Sequence, residues 1–328
     1  MKTAVLALYA AAHFWVDLSC AFLIFRTLPG EPDFGLCLLL YNFCAFALQM
    51  PLGLLADHLD RNRLTAASGC VLVALAAAIP QPVPAAITAG VGNALFHLGG
   101  GIDVLNHSAD RASALGIFIS PGAIGLFLGA LWGGSGAPPL WTGPLGLLAL
   151  AALLGRDRRP SGNCCRSLSC GWRRLTPLLL VVVLRSYMGM NQAFPWKSGE
   201  ALILTLALAL GKTAGGFAMD HLGPRRASAW SLWAASALYL GSALPLPGTA
   251  AVFLFNMTMP ITLWAAARVL PGARGFAFGL LTFGLFLGFL PSYLGWPNLL
   301  TSPWACAAVS LASLALLWGA LGKEAESC

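Results

Sequence analysis

The sequence predicts an all-α integral membrane protein of twelve transmembrane helices, arranged as two pseudo-symmetric six-helix bundles. Three observations predict it. Hydrophobic residues fill 58% of the 328 positions and charged residues only 9%, with a mean hydropathy of +0.77, whereas a soluble domain carries roughly 25% charged residues. Apolar runs long enough to cross a hydrocarbon core of about 30 Å recur along the whole chain. A short charged turn is written twice, from Gly53 and again from Gly216, an offset of 163 residues and almost half the chain.

The runs lie at about 4–26, 34–55, 64–80, 84–105, 112–132, 139–155, 175–194, 200–219, 227–244, 248–268, 274–292 and 302–321. The connections between them are too short for a soluble domain. The longest, RDRRPSGNCCRSLSCGWRR at 156–174, is polar and basic. It separates an N-terminal six-helix bundle, 1–155, from a C-terminal one, 175–328. The first run is too long for a cleaved leader and carries Asp17 without a cleavage site, so it is expected to stay in the mature chain.

Lys and Arg accumulate in cytoplasmic loops. With the N-terminus inside, that side collects Lys2, Arg61, Arg63, Arg111, Arg156, Arg158, Arg159, Arg166, Arg173, Arg174, Arg225, Arg226, Arg268, Arg274 and Lys323. The other side receives Arg26 and Lys197, while Arg185 and Lys212 fall within runs. Both termini are therefore expected in the cytoplasm. The net charge of +7 follows from topology and calls for no nucleic-acid partner. Nine cysteines, some single within runs and three at Cys164, Cys165 and Cys170, match no zinc-ligand spacing and read as reduced thiols. No metal and no cofactor are implied.

The repeated turn reads GLLADHLDRNR at 53–63 and GFAMDHLGPRR at 216–226. The same offset places Arg111 on Arg274, Gly116 on Gly279 and Gly125 on Gly288. Six helices per copy is an even number, so the two copies insert with the same orientation, as parallel repeats. This layout resembles the major facilitator superfamily, whose loop motif between spans two and three is matched by Gly53, Asp57, Arg61 and Arg63. A second copy between spans eight and nine is matched by Gly216, Asp220, Gly223, Arg225 and Arg226. Asp60 stands where that motif has glycine, His58 where arginine is common, and Pro224 where a basic residue is usual. The first latch is therefore expected to be the weaker.

Over most of its length the chain is similar to the fosmidomycin-resistance-like branch of that superfamily, through AHFWVD in span one, GNALFH with a following DRASALG turn, LRSYMG in span seven, and MPITLWAAARVLPGARGFAFGL across spans ten and eleven. It departs after His97, where the branch has Pro and an acidic residue and this chain has Leu98-Gly99-Gly100-Gly101. The resemblance implies a secondary active transporter of the bacterial inner membrane that works as a monomer by alternating access. It implies proton-coupled efflux, by antiport, of a small organic solute, an anion paired to Arg185 being one candidate. A proton-coupled importer or a uniporter fits the same scaffold. A membrane enzyme or sensor is the alternative outside transport, although the chain has no nucleophile motif and no output domain.

Candidate residues follow. Gly53, Asp57, Arg61, Arg63 and Gly216, Asp220, Arg225, Arg226 are expected to form a cytoplasmic gate in which the carboxylates pair with the arginines. An unpaired charge deep in a span costs several kcal/mol or so. His13 and Asp17, one helical turn apart, lie about 14 and 20 Å into the core. Arg185 lies about 15 Å deep in span seven, the repeat equivalent of span one, and is expected to meet them. His13, Asp17 and His97 are therefore candidates for proton coupling, with a static buried ion pair to Arg185 as the alternative for His13 and Asp17, and a histidine hydrogen-bonded to backbone as the alternative for His97. Arg185, Asn42, Asn256 and Gln192 are candidates for substrate binding, with interhelical hydrogen bonds as the alternative for the amides. Asp103 and His107 read as a solvated helix end, and Lys212 as snorkelling or joining the gate. Gly125, Gly129, Gly284 and Gly288 are expected to let helices approach closely. Trp141, Trp196, Trp296 and Trp304 read as interface anchors.

Overall fold

The structure, a computed structural model, describes residues 3–27, 32–108, 111–135, 142–156 and 171–322. Lys2, Arg158, Arg159, Arg166, Lys323, Trp141, Cys164, Cys165, Cys170 and most of the 156–174 linker lie outside the described residues.

Every regular element among the described residues is a helix, and the helices fall where the apolar runs were. They are α1 Thr3–Thr27, α2 Phe34–Leu59, α3 Asn62–Ala76, α4 Pro82–His107, α5 Ala112–Gly134 and α6 Thr142–Leu154. The second set is α7 Trp172–Asn191, α8 Ala201–Leu222, α9 Pro224–Leu240, α10 Pro245–Val269, α11 Arg274–Tyr293 and α12 Pro303–Ala320. Among the described residues seven of these, α1, α2, α5, α8, α10, α11 and α12, are long and apolar enough to cross a membrane. The chain is a multi-pass membrane protein. In α4 the polar Asn93 and His97 and the glycines 99–101 dilute the hydropathy, and this helix is buried by protein over Leu98–Leu105. Large apolar side chains elsewhere point outward, such as Trp230 and Trp233 on α9, as lipid-facing residues do.

Two compact units form: Met1–Ala109 with Pro121–Arg166 and Gly272–Phe283, and Asp110–Ser120 with Ser167–Pro271 and Gly284–Cys328. Helices α5 and α11 thus each give their first part to one unit and the remainder to the other. The two short segments are repeat equivalents of one another.

Glycine sets the helix packing within each unit, because a missing Cβ lets backbones touch. In the first unit a Cβ on Gly53 would land on the Gly275 carbonyl, and one on Gly279 on the Gln49 carbonyl. In the second, a Cβ on Gly216 would meet Ala112 O and the Cα of Ser113 at 2.8 Å, and one on Gly116 would meet Lys212 O at 2.7 Å. All four contacts obey the 163-residue offset. Gly125 and Gly129 seat α5 on the Phe14 and Leu18 carbonyls of α1, while Gly284 and Gly288 seat α11 on Leu179 and Ser186 of α7. The run after His97 has the same use. Gly99 lies against the Asn62 carbonyl and Ala66 of α3, and Gly101 under the Phe278 ring of α11.

Two helices are irregular. A π-turn at Phe43–Ala47 widens α2, with Leu48 N donating to Phe43 O at 3.1 Å. Helix α10 is interrupted at Met257, three residues before Pro260, whose missing N–H leaves the Asn256 carbonyl without its helical donor. Gly215 of α8 fits against the Met257 backbone there.

The turns after α2 and α8 need residues with positive φ. Asp60 has φ 48° and Gly223 φ 80°, at equivalent positions. Asp60 sits in the left-handed well with ψ 40°, which aspartate tolerates. Gly223 has ψ 158°, a region open in practice only to glycine. Gly223→Ala is therefore expected to cost about 1–3 kcal/mol and to lower the thermal midpoint in detergent. Gly35→Ala, at a helical glycine with surroundings as open as those of Gly223, should not lower it. Equal behaviour of the two variants would defeat the conformational argument.

Candidate functional site

The first four N–H groups of any helix lack an intrahelical acceptor, and in a low-dielectric surround leaving them unmet is costly. Asp57, near the end of α2, accepts from Gly275 N at 2.8 Å and Phe276 N at 3.0 Å, in the first turn of α11. Asp220, near the end of α8, accepts from Ala112 N at 2.8 Å and Ser113 N at 3.2 Å, in the first turn of α5. Each carboxylate also complements the positive end of a helix dipole. Gly53 and Gly216, one turn earlier, let the backbones close to this distance. The two copies of the motif form the same joint, and the first, with Asp60, is no longer in its bonds than the second.

The expected pairing of these carboxylates with the arginines that follow is thereby corrected. Both oxygens of each aspartate are used on backbone N–H groups. Arg63 turns instead to Asp103, Nε to Oδ2 at 3.3 Å. Arg225 stacks over Trp318 at 4.9 Å and donates to its carbonyl at 3.3 Å. Arg61 and Arg226 are exposed. Asp103 is a second correction, because it is not a solvated helix end but wholly buried. Tyr9 Oη donates to its Oδ2 at 3.0 Å, and His107 Nδ1 lies 3.3 Å from its Oδ1. Alongside, Arg274 Nη1 donates to Asn106 Oδ1 at 3.0 Å. Lys212 Nζ approaches the Ile119 carbonyl at 3.5 Å.

Deeper in the first unit, α1 and α4 bring four polar side chains together. His13 Nε2 lies 3.3 Å from Asp17 Oδ2 and 2.9 Å from His97 Nε2. His97 Nε2 is 3.8 Å from Asp17 Oδ1, which accepts from Asn93 Nδ2 at 3.0 Å. His97 Nδ1 is 2.9 Å from the Asn93 carbonyl. A carbonyl can only accept, so Nδ1 of His97 carries hydrogen. In the neutral ring Nε2 is then a lone pair, and the 2.9 Å contact requires His13 to present Nε2–H. His13 and Asn93 are buried. Gly122 of α5 closes the cluster, since a Cβ there would fall on His13 Nε2 and Asp17 Oδ2.

Arg185 is buried in the second unit, where Nη1 and Nη2 donate to Thr258 Oγ1 at 3.3 Å and Thr262 Oγ1 at 3.4 Å. Both hydroxyls donate back into α10, to Phe255 O at 2.9 Å and Met259 O at 2.8 Å, which turns their lone pairs to the guanidinium. Among the described residues no carboxylate lies within ion-pair distance of Arg185, so Asp17 is held by His13, His97 and Asn93 and Arg185 by hydroxyls.

Asn42 and Asn256 donate to carbonyls of their own helices, Leu38 O and Val252 O, each at 2.8 Å, and so do not form the expected interhelical bonds through these groups. Gln192 is the residue after α7 rather than within it. Its carbonyl accepts from Lys197 Nζ at 3.0 Å. Trp296 and Trp304 are exposed near helix ends as expected of anchors. Trp196 instead stacks on Phe194 at 5.0 Å and donates to Ser242 O at 3.0 Å. The sequence reading missed Asn93, Gly122, Thr258 and Thr262. Asn93 was within reach, because it precedes His97 by one turn as His13 precedes Asp17.

The fold so described is similar to that of solved transporters, two of them the E. coli fucose transporter. An alanine variant of the E. coli fucose:proton symporter superposes with a TM-score of 0.67 at 13% identity, covering 96% of this chain and 98% of that one. The major facilitator superfamily transporter FucP in the outward conformation gives 0.65 at 13%, with the same coverage. The human organic anion transporter MFSD10 gives 0.67 at 15%, covering 97% and 100%. No family model and no curated protein matches the sequence.

The caps are tested by hydrogen exchange. Asp57→Ala is expected to speed exchange at Gly275–Ala277, and Asp220→Ala at Ala112–Ala114, with a loss of about 0.5–2 kcal/mol per cap. Asp57→Asn retains an acceptor and should behave more mildly. Unchanged exchange in both alanine variants would show that the caps do not hold these helix ends.

Proposed function

We propose that this chain is a proton-coupled secondary transporter that moves a small organic solute across the membrane by alternating access. On this reading it has twelve spans in two six-helix bundles, 1–155 and 175–328, joined by the 156–174 linker. It works as a monomer in the bacterial inner membrane with both termini in the cytoplasm. The observation that carries the reading is the burial of ionisable groups in apolar helices on a transporter fold. Such groups are costly in a membrane and are characteristic of ion and substrate pathways.

His13, Asp17 and His97 supply the coupling site. With Asp17 ionised and both rings neutral the cluster carries one net negative charge, and one added proton neutralises it. Arg185, held by two hydroxyls and with donors to spare, supplies the attraction for an anionic solute such as a carboxylate or phosphonate. Asn42, Asn256 and Gln192 remain candidate solute contacts through the groups not used in the bonds above. The Asp57 and Asp220 caps act as latches: each joins the end of a helix from one repeat to the start of a helix from the other, so transport requires them to open and re-form. Arg61, Arg63, Arg225 and Arg226 flank them.

Efflux by antiport is supported by the resemblance to the fosmidomycin-resistance-like branch. Symport is the second reading, favoured by the likeness in fold to a fucose:proton symporter. Proteoliposomes with a pH-sensitive dye inside decide between them. Carboxylates, phosphonates and neutral sugars are added in turn, and the sign of proton flux on solute addition distinguishes antiport from symport. Asp17→Asn is expected to abolish the proton flux. Arg185→Ala is expected to weaken apparent affinity for the anionic solute about 10- to 100-fold, the loss of a charged hydrogen bond. Normal flux in both variants would sink the mechanism.

A further inference from the structure

We infer that His13, Asp17 and His97 also form a binding site for a single divalent transition-metal ion of the zinc type. The inference goes beyond proton coupling, because ion and proton are alternative occupants of the same acceptors.

One nitrogen or oxygen from each residue lies within 4.8 Å of the others. A tetrahedral zinc ion with bonds of about 2.0–2.1 Å holds its ligand atoms about 3.3 Å apart. The two Nε2 atoms are 2.9 Å apart and His13 Nε2 is 3.3 Å from Asp17 Oδ2, near that value, while His97 Nε2 is 3.8 Å from the other carboxylate oxygen, Oδ1. Each histidine therefore offers Nε2, and the carboxylate the third ligand. Two imidazoles and one carboxylate suit zinc and its neighbours in the first transition row, and suit magnesium and calcium poorly, since those ions take oxygen ligands.

For His97 and Asp17 the surrounding contacts match those of built metal sites, where a ligating histidine donates its second ring N–H to a carbonyl and a ligating carboxylate is itself hydrogen-bonded. His97 Nδ1 lies 2.9 Å from the Asn93 carbonyl, which directs its Nε2 lone pair inward. The Asn93 amide holds Asp17 Oδ1 at 3.0 Å, leaving Oδ2 directed to His13. A Cβ at residue 122 would fall against both His13 Nε2 and Asp17 Oδ2, and glycine there has none. With three protein ligands, a fourth position is left to water or solute. The charge agrees as well: once the His13 hydrogen moves from Nε2 to Nδ1, the two Nε2 lone pairs and the ionised Asp17 carboxylate are three acceptors with one net negative charge set among apolar helices, which attract a cation.

The test uses the full chain purified in detergent, stripped of metal, and dialysed to equilibrium against zinc chloride or magnesium chloride, with bound metal measured by elemental analysis. The wild type is expected to retain one zinc per chain and no magnesium. His13→Gln and His97→Gln should each weaken zinc binding at least tenfold. Asn93→Ala should weaken it about 10- to 100-fold through the lost support of Asp17. His58→Gln and His221→Gln, at exposed histidines, should bind as the wild type does, which separates this site from adventitious surface binding. The inference is overturned if folded wild-type protein holds no more zinc than the His13→Gln/His97→Gln double variant, or if magnesium binds equally well. The readout needs neither a pH gradient nor a solute, so its failure is distinct from failure of proton-coupled transport.

Discussion

Two carboxylates accept the unmet N–H groups at two helix ends, and much of the rest follows from that constraint. The first turns of α5 and α11 present N–H groups that no helical carbonyl can reach. Asp220 and Asp57 meet them with paired bonds of 2.8–3.2 Å. The joint requires backbones in contact, hence Gly53 and Gly216 one turn before the aspartates, and Gly116 and Gly279 one turn beyond the capped ends. It also requires the chain to reverse directly after the carboxylate, hence the positive φ at Asp60 and Gly223. Glycine, aspartate and turn residue are thus one device, which explains why their spacing is kept in both copies.

The polar groups deeper in the helices obey the complementary rule, that a buried charge must find partners or a use. Asp103 takes Tyr9 and Arg63 on Oδ2, with His107 Nδ1 3.3 Å from Oδ1, and so ties α1, α3 and α4 together. Asp17 is held by imidazoles and an amide rather than by a fixed cation. Arg185 has hydroxyls and no carboxylate among the described residues.

The helix positions were legible because periodic runs of apolar residues leave few other options in a bilayer, and the structure moves their ends by a few residues only. The repeat was legible too, because equal spacing of glycine, aspartate and arginine at one offset reflects equal geometry. The expected partners of the gate residues were not. Spacing along the chain shows that a carboxylate and an arginine are near in sequence. It does not show that a backbone N–H more than two hundred residues away competes for the same oxygens, as Gly275 does for Asp57. Asp103 was misread for a related reason: position near a helix end suggests solvent, while Tyr9 and Arg63 arrive from other helices to cover it.

What the sequence determined by itself is what depends on local pattern: a membrane-embedded all-α chain, the helix positions, the duplicated turn, and the i, i+4 pairing of His13 with Asp17. What the tertiary structure decided is which distant groups meet. It joined His97 and Asn93 to His13 and Asp17, gave Arg185 to Thr258 and Thr262, and assigned the two repeated aspartates to helix ends. The physical reason is that hydropathy and helical period fix where a side chain lies along its own helix, whereas its neighbours are fixed by how closely helices approach. Here that approach is set by glycines whose importance shows only in the backbone lying against each one.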